Sequence, residues 1–243
     1  MKVKYWFMSK EKIRQIENCE FRIQKNIDES LNILEKTIHI LNRHSIEYYL
    51  DFGTLLGAVR DNRLIPWDND IDITLFKEED YHKIDEVLED VRREGFGTFV
   101  VTFYRSIVNR KIKLEYDKKE NTFVDFKDIH FTDPFNYRIA VVRNKRKKLF
   151  SKKKKKGKNS MDIFFKYKKG NKLYWMAENR VHSIDADALG DELIEIDFYN
   201  MKCKIPKNYD EYLTQIYGDW KTPHEGWVED DGVTEIIYNV KDD

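Results

Sequence analysis

The spacing of apolar residues predicts a long amphipathic helix near the start of the chain. From Ser9 to about Asn42 apolar residues recur every three or four positions, which is the period of an α-helix. The same spacing predicts a helix over Lys77–Glu94. Shorter helices are predicted over Thr54–Arg60 and over Tyr209–Tyr217, the last of which ends at Gly218.

Alternation of polar and apolar residues predicts the strands. The clearest case is Asp70–Phe76, where aspartates alternate with β-branched residues. Further strands are predicted over Glu47–Leu50, Thr98–Tyr104, Val108–Tyr116, Thr122–Phe126, Arg138–Val142, Met161–Phe165 and Lys172–Met176, with a hairpin across Tyr199 and Asn200. The pattern indicates an α+β protein with a single domain over 1–243. Its parts are a helix in 1–45, a core in 46–166, and a hairpin, helix and acidic tail in 167–243.

Composition narrows the class of protein. Hydrophobic residues make up 41% and aromatic residues 14% of the 243 positions, which excludes a disordered chain. No apolar stretch approaches the ~20 residues that span a bilayer, and the first residues lack a signal-peptide core. Two cysteines are too few for a disulfide framework. A cytoplasmic location is therefore expected.

The balanced net charge hides one strongly basic segment. The chain has 44 basic and 44 acidic residues, yet Arg143–Lys158 contains only basic charges. Lysine is almost never fully buried unpaired, so residues 143–159 are predicted to be an insertion in the core. Two interpretations remain open: a solvated insertion, or a contact of Lys152–Lys158 with an anionic membrane surface or acceptor. Apart from Phe150 the run lacks interleaved aromatic residues, so no nucleic acid is expected.

Two carboxylates are predicted to share one face of a strand. Asp70 and Asp72 project to the same side, whereas Ile71 and Ile73 point to the opposite, buried side. Neighbouring like charges repel, and a divalent cation is the usual reason for holding them together. Because the ligands are oxygen atoms, Mg²⁺ is the expected metal. The alternative is a pair of solvated acids on an edge strand.

A possible phosphate site lies just upstream. Gly53 and Thr54 fall at a strand-to-helix junction, where a glycine admits a phosphate and the free N–H groups attract anions. Arg60 and Arg63 could bind phosphate oxygens from the same helix and the turn after it. The alternative for Arg60 is an ion pair with Asp61 or Asp68.

The string GTLLGAVRDNRLIPWDNDIDI, which begins at Gly53, closely resembles the signature of the LicD phosphotransferase family. That family includes bacterial phosphocholine transferases, fukutin and fukutin-related protein. The segment Ile205–Pro223 resembles the C-terminal motif of the same family. Within the first of these matches the family typically has an acidic residue where this chain has Asn69. Trp67 is expected to be a packing residue.

The resemblance implies a nucleotidyltransferase-like fold of the polymerase-β type, with a mixed sheet and flanking helices. Gly53 and Thr54 would form its phosphate turn, and Asp70 and Asp72 would bind Mg²⁺ or Mn²⁺. The fold usually supplies a third carboxylate from a later strand, for which the candidate is Asp162. The alternative for Asp162 is a strand-end acid in solvent.

The implied activity is transfer of a phospho-alcohol group, such as phosphocholine or phosphoribitol, from a CDP-linked donor to a sugar hydroxyl. The acceptor would be a glycan or glycolipid, met in the cytoplasm or by peripheral contact at a membrane. Two other classes remain open. One is a nucleotidyltransferase acting on another small molecule or on nucleic acid. The other is a non-catalytic binding relative, which would be expected to lose Asp70 or Asp72.

Overall fold

The computed structural model describes residues 20–102, 116–117, 122–126, 129–132, 137–145, 156–177, 180–227 and 231–239. Its helices within these ranges are α1 Gln24–Arg43, α2 Phe52–Asp61, α3 Ile84–Arg93, α4 Ala186–Leu189 and α5 Tyr209–Tyr217. A 3-10 helix, Glu78–Lys83, leads directly into α3. None of the described helices is both long enough and apolar enough to cross a bilayer.

Fourteen strands lie in the described ranges. They are β1 Tyr48–Leu50, β2 Asp70–Leu75, β3 Gly97–Thr102, β4 Tyr116–Asp117, β5 Thr122–Phe126, β6 Ile129–Thr132, β7 Tyr137–Lys145, β8 Lys156–Phe164, β9 Tyr167–Lys169, β10 Lys172–Ala177, β11 Arg180–Asp185, β12 Leu193–Phe198, β13 Met201–Pro206 and β14 Glu235–Asn239. They form a five-stranded sheet, a four-stranded sheet, a three-stranded sheet and the β12–β13 hairpin.

The five-stranded sheet is mixed and has the strand order β1-β2-β8-β7-β3. Strands β2 and β8 run parallel, and the other neighbours run antiparallel. In the parallel pair Asp72 lies opposite Asp162. Residues that face each other across a ladder point to the same side of the sheet, so both carboxylates belong to one face.

The opposite face of this sheet is the core. Ile71, Ile73, Met161 and Ile163 are fully buried there. Helix α1 contacts β2, β7 and β8, and it also contacts α3, which covers β3. The period-two pattern of β2 and β8 therefore buries the aliphatic residues under helices and leaves the aspartates on the other side.

The later part of the chain packs near the aspartate-bearing face. The four-stranded sheet has the order β14-β11-β10-β9, and α5 contacts β11, β13 and α2. Trp175 of β10 and Tyr212 of α5 are both buried in the same hydrophobic core as β1 and β2. Elements from the first and last thirds of the sequence thus lie around the start of α2.

The α+β class predicted from the sequence is confirmed, and several predicted boundaries are corrected. The predicted Ser9–Asn42 helix is broken, because residues 20–23 form turns and bends before α1 begins, and residues 1–19 lie outside the described ranges. The predicted Lys77–Glu94 helix consists of the 3-10 turn and α3. Strands β6, β9, β11 and β14 were not predicted. Of the predicted strand Val108–Tyr116, only Tyr116 is described.

The basic segment also needs a correction. Strand β7 extends to Lys145 and β8 begins at Lys156, and these two residues pair after a register shift between Arg143 and Lys145. Both ends of the predicted 143–159 insertion are therefore strand backbone. Residues 146–155 lie outside the described ranges. A membrane contact through Lys152–Lys158 stays a prediction.

Core packing beneath the sheet gives a first test. Replacing Ile163 with Ala should lower the free energy of unfolding by about 2–5 kcal/mol, because a buried side chain is lost and the cavity cannot close completely. Ile194→Ala is the matched control, since Ile194 is 37% exposed, and it should cost about 1 kcal/mol or less. Urea unfolding measures both. Equal losses in the two variants would contradict the assigned core face.

Candidate active site

Three carboxylates stand in one row across the five-stranded sheet. Asp72 faces Asp162 on the parallel strand β8, and on the other side the Asp51 N–H donates to the Asp72 carbonyl at 3.0 Å. Asp70 lies two residues before Asp72 on the same face of β2. The structure thus brings together Asp70, Asp72 and Asp162, the three aspartates selected by the sequence analysis, and adds Asp51.

Burial and the crowding of negative charge both act on Asp72. Burial, and then the charges of Asp70, Asp162, Asp68 and Asp51, raise the pKa of the Asp72 carboxyl well above its usual range. Each of these influences disfavours the ionised form. A positive ion at this face would act in the opposite sense.

The donor set suits a hard divalent cation. Asp70, Asp72 and Asp162 offer carboxylate oxygens, the ligands that Mg²⁺ and Mn²⁺ prefer. In the ranges that the structure describes, no three His, Cys, Asp or Glu side chains are grouped closely enough to hold an ion as they stand. Carboxylates repel each other without a cation, so ion binding would require them to move closer together. They are candidate ligands.

The first turn of α2 is held against Asp72. The Thr54 hydroxyl accepts the Asp72 N–H at 2.9 Å, and the Asp51 N–H donates to the Asp72 carbonyl. Both polar groups of the Asp72 backbone are therefore bound by residues at the start of α2. Thr54 was predicted to be part of a phosphate turn, and its hydroxyl accepts a backbone hydrogen bond from strand β2.

Gly53 makes room for a carboxylate of the protein itself. A Cβ atom built at Gly53 would overlap the Asp68 Oδ2 atom and would lie 3.5 Å from Asp68 Cγ. The other Asp68 oxygen accepts the Asn69 N–H at 2.9 Å. An anionic group thus already stands against the glycine at which the sequence analysis predicted a phosphate.

The two predicted phosphate-binding arginines differ in their surroundings. Arg60 forms an ion pair with Asp61 at 2.8 Å and donates to the Trp220 carbonyl at 3.4 Å. This is the alternative that the sequence analysis left open for Arg60. Arg63 is exposed in the turn after α2. A phosphate approaching Arg60 would have to share its guanidinium with Asp61.

The N-terminal turn packs onto the loop that carries Asp68. The Phe21 N–H donates to the Asp68 carbonyl at 2.9 Å, and Phe21 itself is buried. Close by along the chain, Arg22 forms an ion pair with Glu225. Trp67 is partly buried against the core, as the sequence analysis expected of a packing residue. The segment before α1 therefore helps to fix the acidic loop.

A buried ion pair beside the row was not predicted. Lys166 is 2% exposed and Asp51 is 0% exposed, and their Nζ and Oδ2 atoms lie 2.7 Å apart. The Asp51 carboxylate also accepts the Phe52 N–H at 2.8 Å, the Tyr212 hydroxyl at 2.7 Å and the Thr74 hydroxyl. An aspartate just before a helix is a recognisable capping signal. Lys166 had no such signal, because its partner lies more than a hundred residues earlier in the chain.

The Lys166 ammonium lies among aromatic rings. It is 4.2 Å from the ring centroid of Phe52 and 4.6 Å from that of Trp175, and it donates to the Tyr212 hydroxyl. Ring faces attract a cation that has lost its water. Burial lowers the pKa of Lys166, and the charges of Asp51 and Asp72 oppose this effect.

Comparison with known proteins finds a family match over the central part of the chain. Residues 45–153 match a family described as "LicD/FKTN/FKRP, nucleotidyltransferase domain". Uncharacterized proteins of Rickettsia typhi and Rickettsia prowazekii are each 36% identical, over 77 and 78 residues, which is 31% and 32% of this chain. The lipopolysaccharide cholinephosphotransferase LicD of Haemophilus influenzae is 45% identical over 49 residues, or 20% of this chain.

These matches identify the class of the central segment as a LicD-type domain. Residues 45–153 of the chain are similar to the LicD family. The matched stretches span 25%, 29% and 18% of the three relatives, well under a third of each. Lys166 and Tyr212 lie beyond the segment 45–153.

The charge on Asp72 predicts a pH-dependent stability. In EDTA, Asp72→Asn should be more stable than the parent at pH 8, and the difference should vanish near pH 3. A raised native pKa means that folding retains a proton which the unfolded chain loses above about pH 4, so stability falls as pH rises. Each tenfold difference in proton affinity between the folded and unfolded carboxyl corresponds to about 1.4 kcal/mol. Urea unfolding across pH measures it.

Asp197→Asn is the matched control for this measurement, because the Asp197 side chain is 78% exposed. Its effect on stability should be small across the whole pH range. A destabilisation by Asp72→Asn that is as large at pH 8 as at pH 4 would show that the charge cluster does not lower the free energy of unfolding.

The contact between Gly53 and Asp68 predicts a coupled pair of substitutions. Gly53→Ala should lower the free energy of unfolding by about 1–3 kcal/mol, because its Cβ atom overlaps the Asp68 carboxylate. Adding Asp68→Ala should recover most of that loss. The two changes are therefore non-additive in a double-mutant cycle measured by urea unfolding. The same cycle with the exposed Asp85→Ala on α3 should be additive. Additivity in both cycles would contradict the assigned contact.

Proposed function

We propose that this protein is a metal-dependent phosphotransferase that moves a phospho-alcohol group from a CDP-linked donor to a sugar hydroxyl of a glycoconjugate. The proposal rests chiefly on the in-register pair Asp72 and Asp162 beside Asp70, in a chain whose residues 45–153 match the LicD family. The activity for which the Haemophilus influenzae relative is named, cholinephosphotransfer to lipopolysaccharide, supports both the transferred group and the acceptor class. The location, cytoplasmic or peripheral at a membrane, stays a prediction.

The three aspartates are the proposed ligands of Mg²⁺ or Mn²⁺. The chemistry that such ions supply is withdrawal of negative charge from a phosphate and a lower pKa of a bound hydroxyl. Asp70 and Asp72 would hold the donor side of the site. Asp162, on the neighbouring strand, would orient the acceptor hydroxyl and accept its proton.

The reaction itself needs no covalent enzyme intermediate. The acceptor oxygen forms a bond to the phosphorus of the transferred group, and the bond from that phosphorus to CMP breaks. The hydroxyl proton passes to the carboxylate, and CMP leaves with the bonding electrons. The N–H groups at the start of α2, with Arg60 and Arg63, would bind the charged phosphate oxygens.

Release of CMP gives the direct test. The protein is incubated with CDP-choline, CDP-ribitol and related donors, with Mg²⁺ or Mn²⁺, with and without sugar acceptors. Asp70→Asn and Asp72→Asn should each lower turnover about a thousandfold or more, because a metal ligand is lost. Asp197→Asn is the exposed control and should retain activity. Near-normal release by either site variant at saturating Mg²⁺ would overturn the assignment.

Asp162→Asn separates the two halves of the reaction. If Asp162 serves the acceptor, this variant should slow transfer to a sugar far more than it weakens donor binding. Binding of the donor can be followed by calorimetry and transfer by product formation. Transfer close to the parental rate would show that the third carboxylate lies elsewhere. Release of a nucleotide other than CMP would favour a different nucleotidyltransferase reaction.

A further inference from the structure

Lys166 is fixed at both its backbone and its ammonium group. The Tyr81 hydroxyl donates to the Lys166 carbonyl at 2.6 Å and accepts the Lys166 N–H at 3.0 Å. The ammonium group binds the carboxylate of Asp51 and the hydroxyl of Tyr212. Such a side chain has little freedom to rotate. It offers a rigid positive charge on the side of the sheet that carries the aspartates.

Asp51 links the fixed side chain of Lys166 to the first turn of α2. Its carboxylate binds the Phe52 N–H, its carbonyl accepts the Leu55 N–H at 3.0 Å, and its own N–H binds the Asp72 carbonyl. Loss of the Lys166 partner would therefore disturb a residue that touches both α2 and β2. Thr54, two residues into the same turn, holds the Asp72 N–H.

The turn held in this way is also strained. Phe52 has a φ of 43°, in the left-handed region that non-glycine residues rarely adopt. Conformations of this kind persist only where the surroundings enforce them, and they cluster at functional sites. Here the enforcing contacts are the Asp51 carboxylate on the Phe52 N–H, and the Lys166 ammonium and the Phe164 and Trp175 rings against the Phe52 ring.

We propose that Lys166 is a positioning residue for the acidic row. Lys166 binds Asp51, and Asp51 holds the strained turn at Phe52. Residues of that turn form hydrogen bonds with the backbone of Asp72, which lies beside Asp162. The inference builds on the metal site of the proposed function. It adds that the site depends on Lys166 and Tyr212, which lie outside the segment 45–153 that matches the family.

The sign of the effect on cation binding distinguishes positioning from simple charge. Lys166 carries a positive charge close enough to Asp72 to interact with it electrostatically. Acting through charge alone, its removal should tighten the binding of a divalent cation. If Lys166 positions the ligands, its removal should weaken binding instead, as loss of a residue that orients metal ligands does.

Four variants of the full chain test the proposal. Lys166→Met removes the ammonium group and leaves Asp51 buried without its partner. Asp51→Asn with Lys166→Met removes both charges. Tyr212→Phe keeps both charges and deletes the hydroxyl between them, so it remains informative if Lys166→Met does not fold. Lys207→Met is the matched control, because it removes a lysine from the exposed pair with Glu192.

Two measurements accompany urea unfolding. The first is Mn²⁺ affinity, followed by electron paramagnetic resonance. The second is hydrogen exchange of the Asp72 amide, which donates to Thr54, with the Leu34 amide in α1 as the reference for global opening. Exchange needs no metal. It therefore tests the role of Lys166 even if the proposed function fails.

We expect the double variant to regain global stability without regaining Mn²⁺ affinity or slow exchange of the Asp72 amide. The double variant should recover part of the urea midpoint lost in Lys166→Met, since no lone charge stays buried. Its Mn²⁺ affinity should still be about 10–100-fold weaker than that of the parent. Its Asp72 amide should exchange at least about tenfold faster relative to Leu34. Tyr212→Phe should show the same changes to a smaller extent, and Lys207→Met should show none.

Three outcomes would overturn the inference. They are Mn²⁺ affinity and Asp72 exchange that simply follow global stability, tighter Mn²⁺ binding without Lys166, and unchanged Asp72 exchange in the double variant. A parent protein that binds no Mn²⁺ would instead overturn the metal chemistry. In that case the relative exchange of Asp72 still decides whether Lys166 positions the turn.

Discussion

Repulsion among carboxylates on one face of a sheet is the constraint around which this protein is built. Strand pairing places Asp51, Asp72 and Asp162 in one row, with Asp70 beside them. The aliphatic residues on the opposite face bury the sheet under α1, so the aspartates cannot turn away without exposing the core. Hydrophobic burial thus holds together charges that would separate in solution.

These carboxylates lie in two different electrostatic environments. Asp51 is fully buried and binds a buried lysine, so its charge is compensated inside the protein. Asp70, Asp72 and Asp162 are only partly covered, and burial with mutual repulsion raises the pKa of Asp72. The first arrangement stabilises a turn. The second leaves a site whose charge a cation can complement, and the proposed chemistry depends on this division.

Several anionic groups lie at the start of α2 or are proposed to bind there. Asp51 caps the helix, Asp68 stands against Gly53, and a donor phosphate is proposed to approach the same turn. Close approach of a protein carboxylate is therefore enough to require a glycine at position 53. Because Arg60 is paired with Asp61, a bound phosphate would compete with acids already present. Such competition favours a ligand that brings its own cations.

Local patterns in the sequence determined the inward and outward faces of β2 and β8, the aspartates that share a face, and the end of α5 at Gly218, because periodicity and capping act over a few residues. Asp51 could have been recognised from its capping position. The parallel register that sets Asp162 against Asp72, the Asp51–Lys166 pair and the contact of Asp68 with Gly53 were decided only by tertiary structure. Each joins residues through packing of separate elements, and no local spacing encodes which distant partner a buried charge will meet.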